Sequence, residues 1–462
     1  MHGLKRLSSP LNLLLPTIVL GATSLFGCLQ TVATQNVDGG TDGGIGHPGP
    51  DGGSSDAGAD GGADGGGTVH AELGCRGLPA PTGTIVHVNP GDDLPAAVRN
   101  AASGTTLLLE NGTYPISAPL VFLNPHVTLR SASDDRTKVT IDGQYLVDET
   151  AVWADDIFIA NLTLRRFGNH PIHAAAYGGH GLENFHMYGV RIEDGGQQFV
   201  KVNGDNPNDP STAHWVDHGV IECSEFVMTD QGRPHIKRDY GLCYTGGIDV
   251  HGGLGWIVRW NHFEGIYCDD GVTAEHAVHF WSGSRDTITE DNVIVNCSRG
   301  VGYGLGQDSA RTYPDWPPTG VVSHYGGIIR NNLVYAMVWQ FEAGIGLEQA
   351  DGPRVYHNTV VYQSADGRFQ TGIDTVYDNT NATIRNNITT RRTNRGGTQV
   401  ADHNLEGPPL SIFVDAGNGN FHLTSAGAST AGLGVPLGSA AGLDLDGWPH
   451  DAPSLGAYEY RP

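Results

Sequence analysis

The chain is poor in positive charge: Lys and Arg number 26 against 50 Asp and Glu, a formal charge of −24 over 462 residues. No stretch is basic enough to track a phosphate backbone, so nucleic acid is excluded as an expected partner. Methionine (4) and charged residues overall (16%) are also scarce, whereas glycine, at 67 residues, is plentiful. Glycine at about twice average usage argues for many short strands joined by tight turns rather than helical bundles. The apolar run at residues 11–25 is too short and too interrupted to span a bilayer. Asn-Gly pairs that would close two-residue hairpins are few, which weighs against a β-sandwich. No complete catalytic motif is present.

What is present begins with an address. Lys5 and Arg6 precede the apolar run, the order found in secretory signals. Leu25-Phe26-Gly27-Cys28 resembles the lipobox of bacterial lipoproteins. That resemblance implies cleavage before Cys28, lipid on its thiol and a membrane tether. Leu29, where inner-membrane lipoproteins carry Asp, implies the outer membrane or cell surface. Residues 34–68 are mostly Gly, Asp, Ala and Ser, with six acids from Asp38 to Asp64. Such a tract buries too little apolar surface to offset its ordering entropy, and reads as a flexible, self-repelling linker. Its Asp-Gly repeats lack the regularly spaced apolar residue of a calcium-binding nonapeptide coil. The expected division is a signal peptide at 1–27, a lipidated Cys and tether at 28–82, and one folded domain at 83–462.

Within that domain a loose pattern, apolar-x-x-Asn-x-apolar, recurs. Its Asn falls at Asn161, Asn261, Asn292, Asn332, Asn358 and Asn387, with Gly189 and Cys223 as substitutes. The intervals are 28, 34, 38, 31, 40, 26 and 29 residues. Three strands of about five residues plus bends need roughly that length. At a sharp bend Asn tolerates the left-handed region. In a coil, equivalent Asn side chains stack at about 4.8 Å and can form an amide ladder. Residues 85–88 alternate like a first strand. Asp92 or Asp93 then caps a short helix over 94–102 with Leu94, Ala97, Val98 and Ala101 on one face. Such a helix suits the open end of a β stack.

Residues 89–114, 284–294 and 443–460 (NPGDDLPAAVRNAASGTTLLLENGTY, SRDTITEDNVI and LDLDGWPHDAPSLGAYEY) carry a resemblance to the pectin-lyase-like superfamily of right-handed parallel β-helices. The resemblance covers residues 83–460. It implies an all-β fold, a single right-handed parallel β-helix (solenoid) with a short N-terminal capping helix. It does not fix a function, since such folds host lyases, hydrolases, epimerases, adhesins and scaffolds.

The longest intervals place extra residues at 203–215, 229–243 and 307–322. Insertions in a solenoid gather on one face, often the binding face. Here they bring Trp215, Lys237, Arg238, Tyr240 and Trp316, which either wall a groove or pin the loops to the coil. With Cys28 lipidated, five cysteines remain, and disulfides among Cys223, Cys243, Cys268 and Cys297 are expected, leaving Cys75 unpaired.

Reactive side chains are densest at residues 246–306. Ile248 and Val250 pointing inward leave Asp249 and His251 outside; Val278 and Phe280 inward leave His279 and Trp281 outside. If the two strands are neighbours in phase, these four form an exterior cluster within reach of Arg285, Lys237 and Arg238. Such a set suits β-elimination of a uronic-acid polysaccharide, which needs a base and neutralisation of the substrate carboxylate. His251 or His279 is the candidate base and Arg285 or Lys237 the neutraliser, with Asp249 beside them. Trp281, Tyr240, Arg238 and Trp215 are the candidate sugar contacts. Asp269, Asp270 and Glu275 are candidate calcium ligands. A zinc set of His251, His276 and His279 conflicts with the strand, where H-x-x-H points its two His to opposite faces. Asp269-Asp270 is similar to the double Asp of polygalacturonase-like hydrolases, and Gly179-His180-Gly181 to their Gly-His-Gly. The order is reversed and no Arg-Ile-Lys follows, so no roles carry over. The expected protein is a monomeric, surface-anchored, carbohydrate-active β-helix. It reads as a polysaccharide lyase, with a non-catalytic glycan-binding or envelope lipoprotein and an Asp-pair glycoside hydrolase as the other readings.

Overall fold

The computed structural model describes residues 74–461 except 208, 210, 211, 239, 240, 307–309, 318, 319, 365, 366 and 430–432. The signal-like segment, Cys28, the whole Gly/Asp tract and Tyr240 lie outside the described residues. The rest is a parallel β-helix. Three long sheets of 14, 10 and 11 strands run side by side. Strands about one coil apart in sequence pair in parallel register, as in Ile257, Val258 and Arg259 against Ile288, Thr289 and Glu290. Among the described strands, Phe413–Asp415 with Asn420–Leu423 is the single antiparallel pair.

Alternation along each strand builds the core. In the ten-stranded sheet Val200, Ile248, Val278, Val301, Ile345 and Ile373 form one fully buried inward column. A helix at Leu94–Asn100 starts at Asp93, whose carboxylate accepts from the Ala96 N–H at 3.0 Å, and buries Leu94 and Val98 in the same core. Near the C-terminus, Ile412, Phe413, Phe421, Leu445 and Tyr458 join Val293, Val295 and Leu333 in a second apolar cluster.

The Asn ladder exists, but its turn geometry differs from the expectation. Asn261, Asn292, Asn332, Asn358 and Asn387 are each at most 1% exposed. Each side-chain amide donates to the Oδ1 of the next at 2.9–3.0 Å, and Asn387 donates to Asn404. The left-handed residue is the one before each Asn: Trp260, Asp291, Asn331, His357, Asn386 and His403 all have φ between 51° and 60°. Asn161, Gly189 and Cys223 share that left-handed position. Ladder register in the earlier coils therefore falls on Val190 and Ser224, where the Val190 N–H donates to Ser224 Oγ and the Ser224 N–H to Asn261 Oδ1. A bend needs one residue to reverse the chain and the next to fill the corner from inside, and the two jobs fall to different positions.

The cysteine expectation is overturned. Cys75 bonds Cys223, Cys243 bonds Cys268, and Cys297 is a buried free thiol. Cys75 reaches Cys223 because residues 75–78 lie against the left-handed corner, where Cys75 and Leu78 pack on Ala160, Tyr188 and Cys223. Cys75 and Leu78, ahead of residue 83, thus pack on the coil.

Candidate functional site

The outer face of the ten-stranded sheet carries an unusual column. The register His173, Lys201, Asp249, His279, Gly302, Gly346, Asp374 runs across neighbouring coils. Phase agreement between the Gly246–His251 and His276–Trp281 strands is direct: Asp249 faces His279 and His251 faces Trp281. The one-residue difference in their distance to the ladder is taken up in the bend, because Leu254 already pairs with Arg285.

Lys201, Asp249 and His279 are buried despite facing outward. Lys201 Nζ sits 2.5 Å from Asp249 Oδ2 and 2.8 Å from His251 Nε2. The Trp281 indole N–H donates to the other Asp249 oxygen at 2.8 Å. Burial opposes the Lys201 ammonium, but Asp249 outweighs it and the pKa is raised. Burial likewise opposes the Asp249 carboxylate, but Lys201 and His251 outweigh it and hold it well below the usual range. His251 is pushed down to about 4, first by burial and then by the Lys201 charge. It is therefore neutral at neutral pH, with its Nε2 lone pair facing the ammonium. His251 keeps a side-chain exposure of 21%, so it is where this network meets solvent. Beside it, His173 contacts Glu149 at 2.7 Å and Asn203 at 3.2 Å, and Asn203 lies 3.4 Å from His251 Nδ1.

The cation in the cluster is Lys201, which sequence reasoning missed. The expected neutralisers, Arg285 and Lys237, and Arg238 lie elsewhere. Arg285 belongs to the 14-stranded sheet beyond the bend, where it forks onto Asp315 at 2.8 and 2.9 Å and lies over Tyr313 and Trp316. Lys237 approaches Asp148 at 3.5 Å, and Arg238 pairs with Asp270 at 3.1 Å. Trp215 is packed down on Gly204 and Gly252, where a Cβ would meet its ring at 2.7 and 2.4 Å. It pins the loop before the Val216–Asp217 strand.

The expected calcium set does not assemble. Asp269 lies 3.5 Å from Arg233 and Asp270 beside Arg238, both on an exposed turn. Among the described residues the group whose ligand atoms converge, within 4.8 Å of one another, is Glu275, His276 and His279. The expectation that His276 and His279 face opposite ways fails: their rings lie 4.4 Å apart. His276, at the entry to its strand, lies over Gly302, where a Cβ would come within 2.6 Å of its Nε2. The missing side chain of Gly302 makes the room.

No protein-family model and no curated protein sequence matches the chain. Among solved structures, it is similar to an alginate lyase from Paenibacillus sp. str. FPU-7 (15% identity, TM-score 0.41, covering 70% of this chain and 99% of that one). It is also similar to a GH136 lacto-N-biosidase from Eubacterium ramulus (11%, 0.43, 70% and 67%). A third is the surface protein and adhesin PfbA of Streptococcus pneumoniae (12%, 0.39, 68% and 92%). At this distance the likenesses carry no argument about activity.

Proposed function

We propose that the chain is a surface-anchored, carbohydrate-active protein, most concretely a lyase that cleaves a uronic-acid polysaccharide by β-elimination. The observation that carries the reading is the joining of a buried lysine and a neutral, half-buried histidine on one outward face. Elimination removes the proton next to the sugar carboxylate. The base must be unprotonated at working pH, and positive charge nearby must stabilise the developing enolate. His251 is neutral with its Nε2 lone pair held by Lys201; a substrate carboxylate that draws Lys201 toward itself receives the neutralising charge and frees that nitrogen to take the proton, while Asp249 and Trp281 position the pair. The ring of Trp281, 4.2 Å from the His251 ring, offers an apolar flank to a sugar.

Purified protein is mixed with a panel of polyuronates, with and without chelator, and ultraviolet absorbance of unsaturated product is followed. We expect a rise with at least one polymer and a loss on the order of 100-fold or more in His251→Ala, the usual scale for a general base. Silence across the panel would abandon the lyase. The second reading, a glycan-binding surface lipoprotein without turnover, is favoured by the pairing of Lys201 with Asp249 inside the network. Glycan binding without product would select it.

The same proposal takes the coil as right-handed, closed at its N-terminal end by the Leu94–Asn100 helix, monomeric, and held to the outer membrane or cell surface through lipid on Cys28. Metabolic labelling with a radioactive fatty acid tests the anchor: Cys28→Ala should carry no label and leave the membrane fraction.

A further inference from the structure

We propose that Glu275, His276 and His279 form a binding site for a zinc-type divalent cation on the outer face of the ten-stranded sheet. Three observations meet there. First, one ligand atom from each residue lies within 4.8 Å of the others. Tetrahedral sites with bonds of about 2.0–2.2 Å place ligand atoms about 3.4 Å apart, so small side-chain movements close the set. Second, the His276 Nδ1 is buried and has no hydrogen-bond partner, in a residue only 5% exposed. A buried imidazole nitrogen without a partner is destabilising, and a cation would satisfy it. Third, His279 is oriented as a ligand. Its Nε2–H donates to the Gly304 carbonyl at 3.0 Å, which leaves Nδ1 as the nitrogen open to a cation. Metal-binding histidines are commonly fixed in this way by a carbonyl on the far nitrogen.

The surroundings favour a cation. Asp249 Oδ1 lies 3.6 Å from His279 Nδ1, and Glu275 lies 4.0 Å from Arg299, which is itself paired with Glu342 at 3.1 Å. Gly302 and Gly346 form a floor without side chains. Two imidazoles and one carboxylate are the donor set of zinc sites that keep an open position, whereas calcium asks for six to eight oxygens. Use of such an open position to hold a substrate carboxylate rests on the lyase reading; binding of the cation does not.

The test uses the full chain, stripped with chelator and titrated with Zn2+ by calorimetry, and with Co2+ followed by its visible absorption. We expect one tight equivalent. Glu275→Gln and His276→Ala should each weaken it on the order of 100-fold, at least the cost of losing an outer-shell partner. Their far-ultraviolet circular dichroism should be unchanged, and Glu275→Gln, partly exposed and nearly isosteric, keeps the test clear of misfolding. Zn2+ affinity that is the same in the parent and both variants would overturn the site, as would tight binding of Ca2+ but not Zn2+. Because no glycan is present, inactivity toward polyuronates leaves this outcome standing, and failure of cation binding leaves the elimination chemistry of His251 and Lys201 to be judged separately.

Discussion

Two buried polar columns climb this solenoid. At one corner, inside the coil, the Asn ladder from Asn261 to Asn404 is uncharged, and each side-chain amide bonds the one above. On the outer face of the ten-stranded sheet, Lys201, Asp249 and His279 are charged or titratable, and beside them His276 keeps a buried Nδ1 without a partner. A structural column closes its own accounts; a column that leaves groups unmatched is adapted to something outside the chain.

The contrast can be broken most forcefully at its charged end. Asp249→Ala strands Lys201 without a counter-ion, at about 3–5 kcal/mol, and the Trp281 indole N–H without an acceptor, at a further ~1–3 kcal/mol. Urea unfolding should show the sum, whereas Asp249→Ala with Lys201→Met should recover most of it. Next comes the ladder. Asn332→Ala removes the acceptor of two buried donors, the Asn292 backbone N–H and side-chain amide, and should cost about 2–6 kcal/mol in the same assay.

Acid probes buried histidines that lie outside both columns. The ladder does not titrate, but His324 and His357, buried elsewhere, are each pushed down to about 3, first by burial and then by a neighbouring histidine. Their folded pKa values lie below the unfolded value of about 6.5. Between pH 6.5 and 3 the unfolded chain therefore binds more protons, and stability falls as pH falls through that window. Each contributes at most about 1.4 kcal/mol per pH unit. Urea midpoints should be flat above pH 7 and decline from pH 6.5 to 4; a flat profile throughout would mean that these rings are not buried neutral. The smallest change is expected from His276→Ala, within about 1 kcal/mol of the parent. It removes a side chain with an unmatched nitrogen from over a glycine floor. A large destabilisation there would make His276 a structural member instead.

The coil was legible because buried corner Asn recur at coil length. The left-handed position was not, since Trp260, Asp291, Asn331, His357, Asn386 and His403 share no chemical signature. In the first coils Asn161 and Gly189 occupy it and mimic the ladder. The pairing of Asp249 with His279 could be read from alternation, but Lys201 could not. It precedes Asp249 by 48 residues, because insertions on both sides of the Val220–Glu222 strand stretch that coil. Arg285 misled for the opposite reason: four residues after Trp281, it has already turned onto another sheet. Cys75 and Cys223, 148 residues apart, meet through a packing contact that no local pattern encodes.

The Asn ladder also has a sense of direction. Each rung gives one amide hydrogen to the Asn oxygen of the next coil and another to a strand carbonyl of the coil before, while its oxygen receives from the N-terminal side, so the Asn-to-Asn bonds all run one way along the axis. A cut after Tyr356 would leave the Asn332 backbone and side-chain N–H without the Asn358 oxygen, and a cut before Asn292 would leave the Asn292 oxygen without its donors on Asn261. A shortened or spliced version of this coil therefore keeps its corner satisfied only where the new end meets water or another Asn-bearing coil in the same register.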